Sequence, residues 1–141
     1  MDAQAVAEKV RDAMLAEDAA SRLLGLQIAD VAPGRAVVTM IVRADMLNGF
    51  AICHGGLIAT LADSAFAFAC NSRNALTVAS GFGIDILKPA KLDDVLTATA
   101  EETSLAGRTG LYDVTVRNQH GELIAMFRGR SYRLGERKVL A

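Results

Sequence analysis

Between Leu57 and Cys70 the chain runs Leu-Ile-Ala-Thr-Leu-Ala-Asp-Ser-Ala-Phe-Ala-Phe-Ala-Cys, and its one carboxylate is Asp63. A lone charge in an apolar run is rare unless it is paired or has chemistry to do, because burial disfavours the ionised form. Desolvation raises the pKa of such an Asp and hydrogen bonds lower it, so its basicity can be set for general-base or nucleophilic work. The competing reading is a structural Asp tied to backbone or to an Arg. On a helix, Ala59, Thr60 and Ala67 lie three or four positions from Asp63 and are small enough to leave space above it, with Phe66 as an apolar wall.

The second chemical element is the start of the same helix, His54-Gly55-Gly56. Paired glycines let a ligand approach the backbone closely, and the free N–H groups at the positive helix end favour an oxyanion. A carbonyl bound there is polarised, and donors of this kind contribute about a hundred- to a thousand-fold in acyl transfer. A Gly-Gly helix start is by itself more often a turn than a site. Asp63, however, lies eight residues past Gly55, about 12 Å along the axis at 1.5 Å per residue. One carbonyl cannot touch both on a single helix. If both act on one carbon, two antiparallel copies of the helix must each lend a start to the other's Asp63, giving a twofold dimer with two shared sites.

The elements that must position these groups are legible from periodicity. An Ala-rich amphipathic pattern, with Val6, Val10, Ala13 and Met14 in helical spacing, predicts one helix over about 2–23, stopped by Gly25. Alternation through Leu24, Leu26 and Ile28, a Pro33-Gly34 turn and alternation from Ala36 to Val42 predict a hairpin. After the apolar helix, about 55–72, strands are expected over 77–87, 95–103, 111–116 and 123–133, with Gly107 and Gly110 bracketing one turn. Five or six antiparallel strands and one buried helix, without strand–helix alternation, predict an α+β architecture with a curved sheet against the helix.

Composition limits the rest. A chain of 141 residues fits one domain, and 52% apolar residues is rich enough to hint at oligomer interfaces. A net charge of -1 gives no basic field for nucleic acid or anionic lipid. The apolar helix is too short and carries Asp63, so no membrane span is expected. Cys53 and Cys70 sit apart without a ligand pattern, and the N-terminus lacks a leader-like segment, so a cytoplasmic setting is expected. His54 and His120 form no metal-ligand spacing with the scattered carboxylates, and there is no Gly-x-Ser-x-Gly elbow. Neither a metal nor a cofactor is expected.

The stretch Asn48-Gly-Phe-Ala-Ile-Cys-His54-Gly55-Gly56, then Ala59-Thr-Leu-Ala-Asp63 and Ala69-Cys-Asn71-Ser72, resembles the PaaI-type hotdog thioesterases of phenylacetate degradation. Ala79 to Pro89, Leu96 to Ala100, Thr109 to Asp113 and Phe127 to Ser131 continue the likeness, which covers about residues 20 to 134. The resemblance implies a hotdog fold, a long helix wrapped by an antiparallel sheet, paired by sheet extension into dimers and stacked into a homotetramer. It implies hydrolysis of an acyl-CoA, phenylacetyl-CoA or a hydroxylated relative, to free acid and CoA. Asp63 matches the nucleophile or general base, and the Gly55 N–H matches the carbonyl-polarising group. Asn48 matches a residue that orients water or thioester, and His54 one that fixes the loop through hydrogen bonds. Gly56 and, one step from Ala79, Ser80 are candidate substrate-binding positions. Among Lys88, Lys91, Arg108, Arg128 and Arg130 the sequence does not choose a phosphate partner for CoA. The alternatives are an acyl-CoA-binding hotdog module without catalysis, which would have no need of Asp63, and a hotdog hydratase, whose acid–His motif is missing.

Overall fold

In the computed structural model, which describes all 141 residues, the N-terminal segment expected as one helix is two. Asp2 caps α1 (Ala3–Glu17) by accepting the Ala5 amide at 2.8 Å. Asp18 leaves helical geometry and caps α2 (Ala19–Leu23), accepting from the Ser21 amide at 3.0 Å and the Ser21 hydroxyl at 2.6 Å. A short carboxylate competes with the helix for nearby backbone donors, which is why the break falls there. Gly25, at φ 67°, ends α2: its amide reaches the Arg22 carbonyl and the Leu26 amide reaches that of Ser21. That closure needs a left-handed residue, a role glycine fills at least cost.

The remaining elements are β1 (Gln27–Ala32), β2 (Arg35–Ile41), α3 (Gly55–Cys70), β3 (Thr77–Ile86), β4 (Val95–Ala106), β5 (Thr109–Arg117) and β6 (Leu123–Arg133). They form one six-stranded antiparallel sheet in the order β1-β2-β4-β5-β6-β3, curved around α3. The expected hotdog architecture is therefore observed. Gly107, at φ 62°, makes the β4–β5 turn, but Gly110 lies within β5 and not in that turn. A side chain on Gly110 would sit 2.7 Å from the Ser131 hydroxyl, so close strand packing accounts for the glycine.

α3 buries Ile58, Leu61, Ala62, Ala65, Phe66, Phe68 and Ala69 against the sheet. Phe66 packs between the rings of Tyr112 and Phe127, with centroids at 5.5 and 5.9 Å. Gly129 makes room for it, since a Cβ there would lie 2.8 Å from the Phe66 ring. The polar run after α3 terminates it from inside the fold and not as a solvated loop. Buried Asn71 donates to the Ala67 and Thr77 carbonyls and accepts the Thr77 amide, while Ser72 donates to the Ala69 carbonyl and accepts the Gly34 amide. These bonds fix where β3 begins relative to α3. No helix is long and apolar enough to cross a membrane.

Candidate active site

α3 is not enclosed all round. Gly56 is exposed and Ala59, Thr60, Asp63 and Ala67 are half-buried, a stripe at helical spacing that the chain's own sheet leaves open. The Asp63 carboxylate forms no ion pair and only burial shifts its pKa, so no Arg or backbone partner within the chain supports the structural reading. Burial alone pushes its pKa above the ordinary carboxylate value. It stands in a depression of about 350 Å³ whose other walls include Met14, Phe66, Ala67, Leu76, Val78 and Val139. Cys70 also faces this space, but burial, with the Asp63 charge adding to it, pushes its thiol up to about 12, so it is not a thiolate nucleophile.

A carboxyl with a raised folded pKa keeps its proton in the folded chain where the unfolded chain has lost it. Its favourable contribution is present at acid pH and is lost as pH rises through the folded value. Asp63→Asn is therefore expected to melt above the parent at neutral pH, with the gap closing in the acid range. Calorimetric melts across pH check this; a variant less stable than the parent at neutral pH would show that Asp63 is held by favourable contacts.

The helix start is built from Leu47 to His54. Leu47 bridges Cys53, and the Asn48 side-chain carbonyl accepts the Phe50 amide at 2.9 Å and the Ile52 amide at 3.4 Å. That leaves the Asn48 NH₂ free to meet a ligand. His54 fixes the loop with its backbone, donating to the Met46 carbonyl at 2.9 Å and accepting from Leu57 and Ile58. Its imidazole is exposed and makes no hydrogen bond, so the loop is held without the side chain. The Gly55 and Gly56 amides open the first turn with no capping side chain. A Cβ on Gly55 would lie 2.7 Å from Cδ1 of Ile86, the far end of an exposed side chain that can turn aside, whereas one on Gly56 would meet open space.

Within one chain Asp63 and the Gly55 amide are not brought together, being on one continuous helix. Ser80 is a bulged residue between Ala79 and Gly81. Its hydroxyl donates to the Arg130 carbonyl at 3.2 Å, and it lines a separate depression with Ser104 and Thr109. Ala79, not Ser80, lines the Asp63 depression. Sequence reasoning missed Met14 and Val139, which reach the site only through tertiary packing. It also missed Arg133, which with Arg108 and the ion-paired Arg73 lines a pocket of about 240 Å³ beyond Cys70 and Thr77. Neither Arg108 nor Arg133 has a carboxylate partner, and the Arg133 Nε is buried without a hydrogen bond. No three His, Cys, Asp or Glu side chains converge in a metal-binding arrangement.

With this geometry in view, comparison with known proteins is specific. The family model of the thioesterase superfamily matches residues 50–125, more than half the chain. The chain belongs to the thioesterase superfamily. It is therefore an enzyme of thioester hydrolysis. It is 48% identical over 123 residues to the acyl-coenzyme A thioesterase PaaI of Escherichia coli, covering 87% of this chain and 88% of that one. The structure of the E. coli PaaI protein superposes with a TM-score of 0.94 at 44% identity, covering 96% of this chain and 99% of the other. A hypothetical thioesterase protein of Streptococcus pneumoniae, solved with coenzyme A, superposes with a TM-score of 0.76 at 31% identity, covering 80% of this chain and 91% of the other. The superfamily match contains Gly55 and Asp63, while Met14, Arg133 and Val139 lie outside it.

Proposed function

We propose that this thioesterase hydrolyses an acyl-CoA with a compact apolar or aryl acyl group, phenylacetyl-CoA or a hydroxylated relative, at two sites shared between paired chains. The observation that carries this is Asp63: an unpartnered carboxylate, raised in pKa by burial, at the only charged point of an otherwise largely apolar depression. In the reaction Asp63 takes a proton from water as its oxygen bonds to the thioester carbon. The developing oxyanion is held at the Gly55 N–H. The C–S bond then breaks, the proton on Asp63 passes to the departing CoA sulfur, and free acid remains.

Sharing is supported by β3. It is a ten-residue edge strand with Val78, Phe82 and Ile86 exposed and only Asp85 as a charge. A long apolar edge of this kind is a template for pairing with another chain. β3 runs antiparallel beside α3, with Ile86 against Gly55 and Thr77 bonded to Asn71. Twofold pairing of two β3 strands therefore sets two α3 helices antiparallel. To centre the axis between Gly55 and Asp63, at Ala59, the pairing must centre about two residues before Ile86, near Ile84. Stacking two such dimers into a tetramer would cover Ile41, Val95 and Met126, exposed on the outer sheet face.

The reading as a whole is tested by thiol release from a panel of aryl and alkyl acyl-CoAs. Turnover with preference for phenylacetyl-type groups supports it, and no turnover of any member would sink it.

A further inference from the structure

The Asp63 depression ends in a segment that the superfamily match does not include. After β6 the chain folds back over the α3–β3 connection: the Leu134 amide donates to the Leu76 carbonyl at 2.8 Å and the Leu76 amide to that of Arg137 at 3.0 Å. The Leu140 amide then donates to the Asn74 side-chain oxygen at 2.8 Å. Asn74 holds φ 65°, a left-handed conformation that Asn tolerates better than other side-chain-bearing residues. Its amide is tied to the Asn71 carbonyl, and Asn71 in turn ties α3 to β3. Val139, one residue before Leu140, is thereby fixed relative to the helix that carries Asp63, and it lines the same depression.

The depression follows α3 from Asp63 to Asn71, a further eight residues and about 12 Å along the axis. An acyl group whose carbonyl lies at Asp63 therefore extends toward Leu76 and Val139, with Met14 of α1 on its flank. We propose that Val139, anchored through Asn74, is an acyl-specificity residue that closes the far end of the acyl pocket. This rests on the hydrolase reading of the same site. Short acyl groups stop before reaching Val139, while aryl groups pack against it. A methylene-scale change in a hydrophobic pocket alters discrimination by about ten- to two-hundred-fold.

The test compares kcat/KM for acetyl-CoA and phenylacetyl-CoA in the parent, Val139→Trp, Val139→Ala and Asn74→Gly, with Asp63→Ala alongside. Val139→Trp is expected to lower the phenylacetyl-to-acetyl ratio by about tenfold or more. Val139→Ala is expected to raise KM for phenylacetyl-CoA alone. Asn74→Gly keeps the backbone conformation, releases the segment and moves the ratio in the same direction by less. An unchanged ratio in both Val139 variants, or a parallel fall for both thioesters, overturns the assignment. No turnover of either thioester by the parent would instead overturn the hydrolase reading, and parent-level activity in Asp63→Ala would place the base elsewhere, so the failures are told apart.

Discussion

Asp63→Ala is expected to lower kcat for thioester hydrolysis by about a hundred- to ten-thousand-fold, the range a positioned general base supplies. The chain should stay folded, because the Asp63 carboxylate forms no ion pair whose loss would leave a buried partner unsatisfied. The parent's kcat/KM should rise with pH through a value above the ordinary carboxylate range, since the basic form of Asp63 does the work and burial shifts its titration upward. The residual activity of the variant should lack that limb. Steady-state thiol release across pH reads both effects. A variant as active as the parent, or one that keeps the same limb, would place the base elsewhere.

The second large effect is at the helix start. Gly55→Val is expected to lower kcat on the order of a hundredfold, the usual consequence of losing one oxyanion donor. The cause is steric: a Cβ at this position lies 2.7 Å from Cδ1 of Ile86, so the branched side chain and the Ile86 side chain must move apart beside the first turn that carries the amide. Shortening the opposing side chain should therefore give part of the activity back in the double variant Gly55→Val, Ile86→Ala. If Gly55→Val loses binding and not kcat, the amide holds substrate and transition state alike and is not an oxyanion donor.

The sequence exposed most of what is local. The apolar helix with Asp63, the glycines at its start and the period-two strands are set by spacing over a few residues, and their elements match to within a few residues. Asp18 was missed as a helix break because its neighbours all favour helix and only its carboxylate's capping geometry ends α1. Gly110 was misplaced because a glycine needed for turn conformation and one needed for strand packing against Ser131 look alike in a sequence. The walls of the site were hidden for another reason. Met14 and Val139 are separated from Asp63 by 49 and 76 positions in the numbering. No short-range pattern links them, and only the docking of α1 and of the chain after β6 brings them to the carboxylate. The space above Asp63 on α3 is legible in the small residues Ala59, Thr60 and Ala67, but such residues suit a second copy of the helix as well as they suit a core, so spacing alone does not say what covers it.

The account's central claim is that Gly55 of one chain serves Asp63 of another. The direct measurement mixes two inactive proteins, Asp63→Ala and Gly55→Val, unfolded together and refolded at equal amounts. Random pairing yields mixed dimers in which one site keeps both an intact Gly55 and an intact Asp63. About a quarter of the parent's activity per site should therefore return. No recovery, from mixed dimers shown to form, would contradict the claim by placing both groups' work within a single chain.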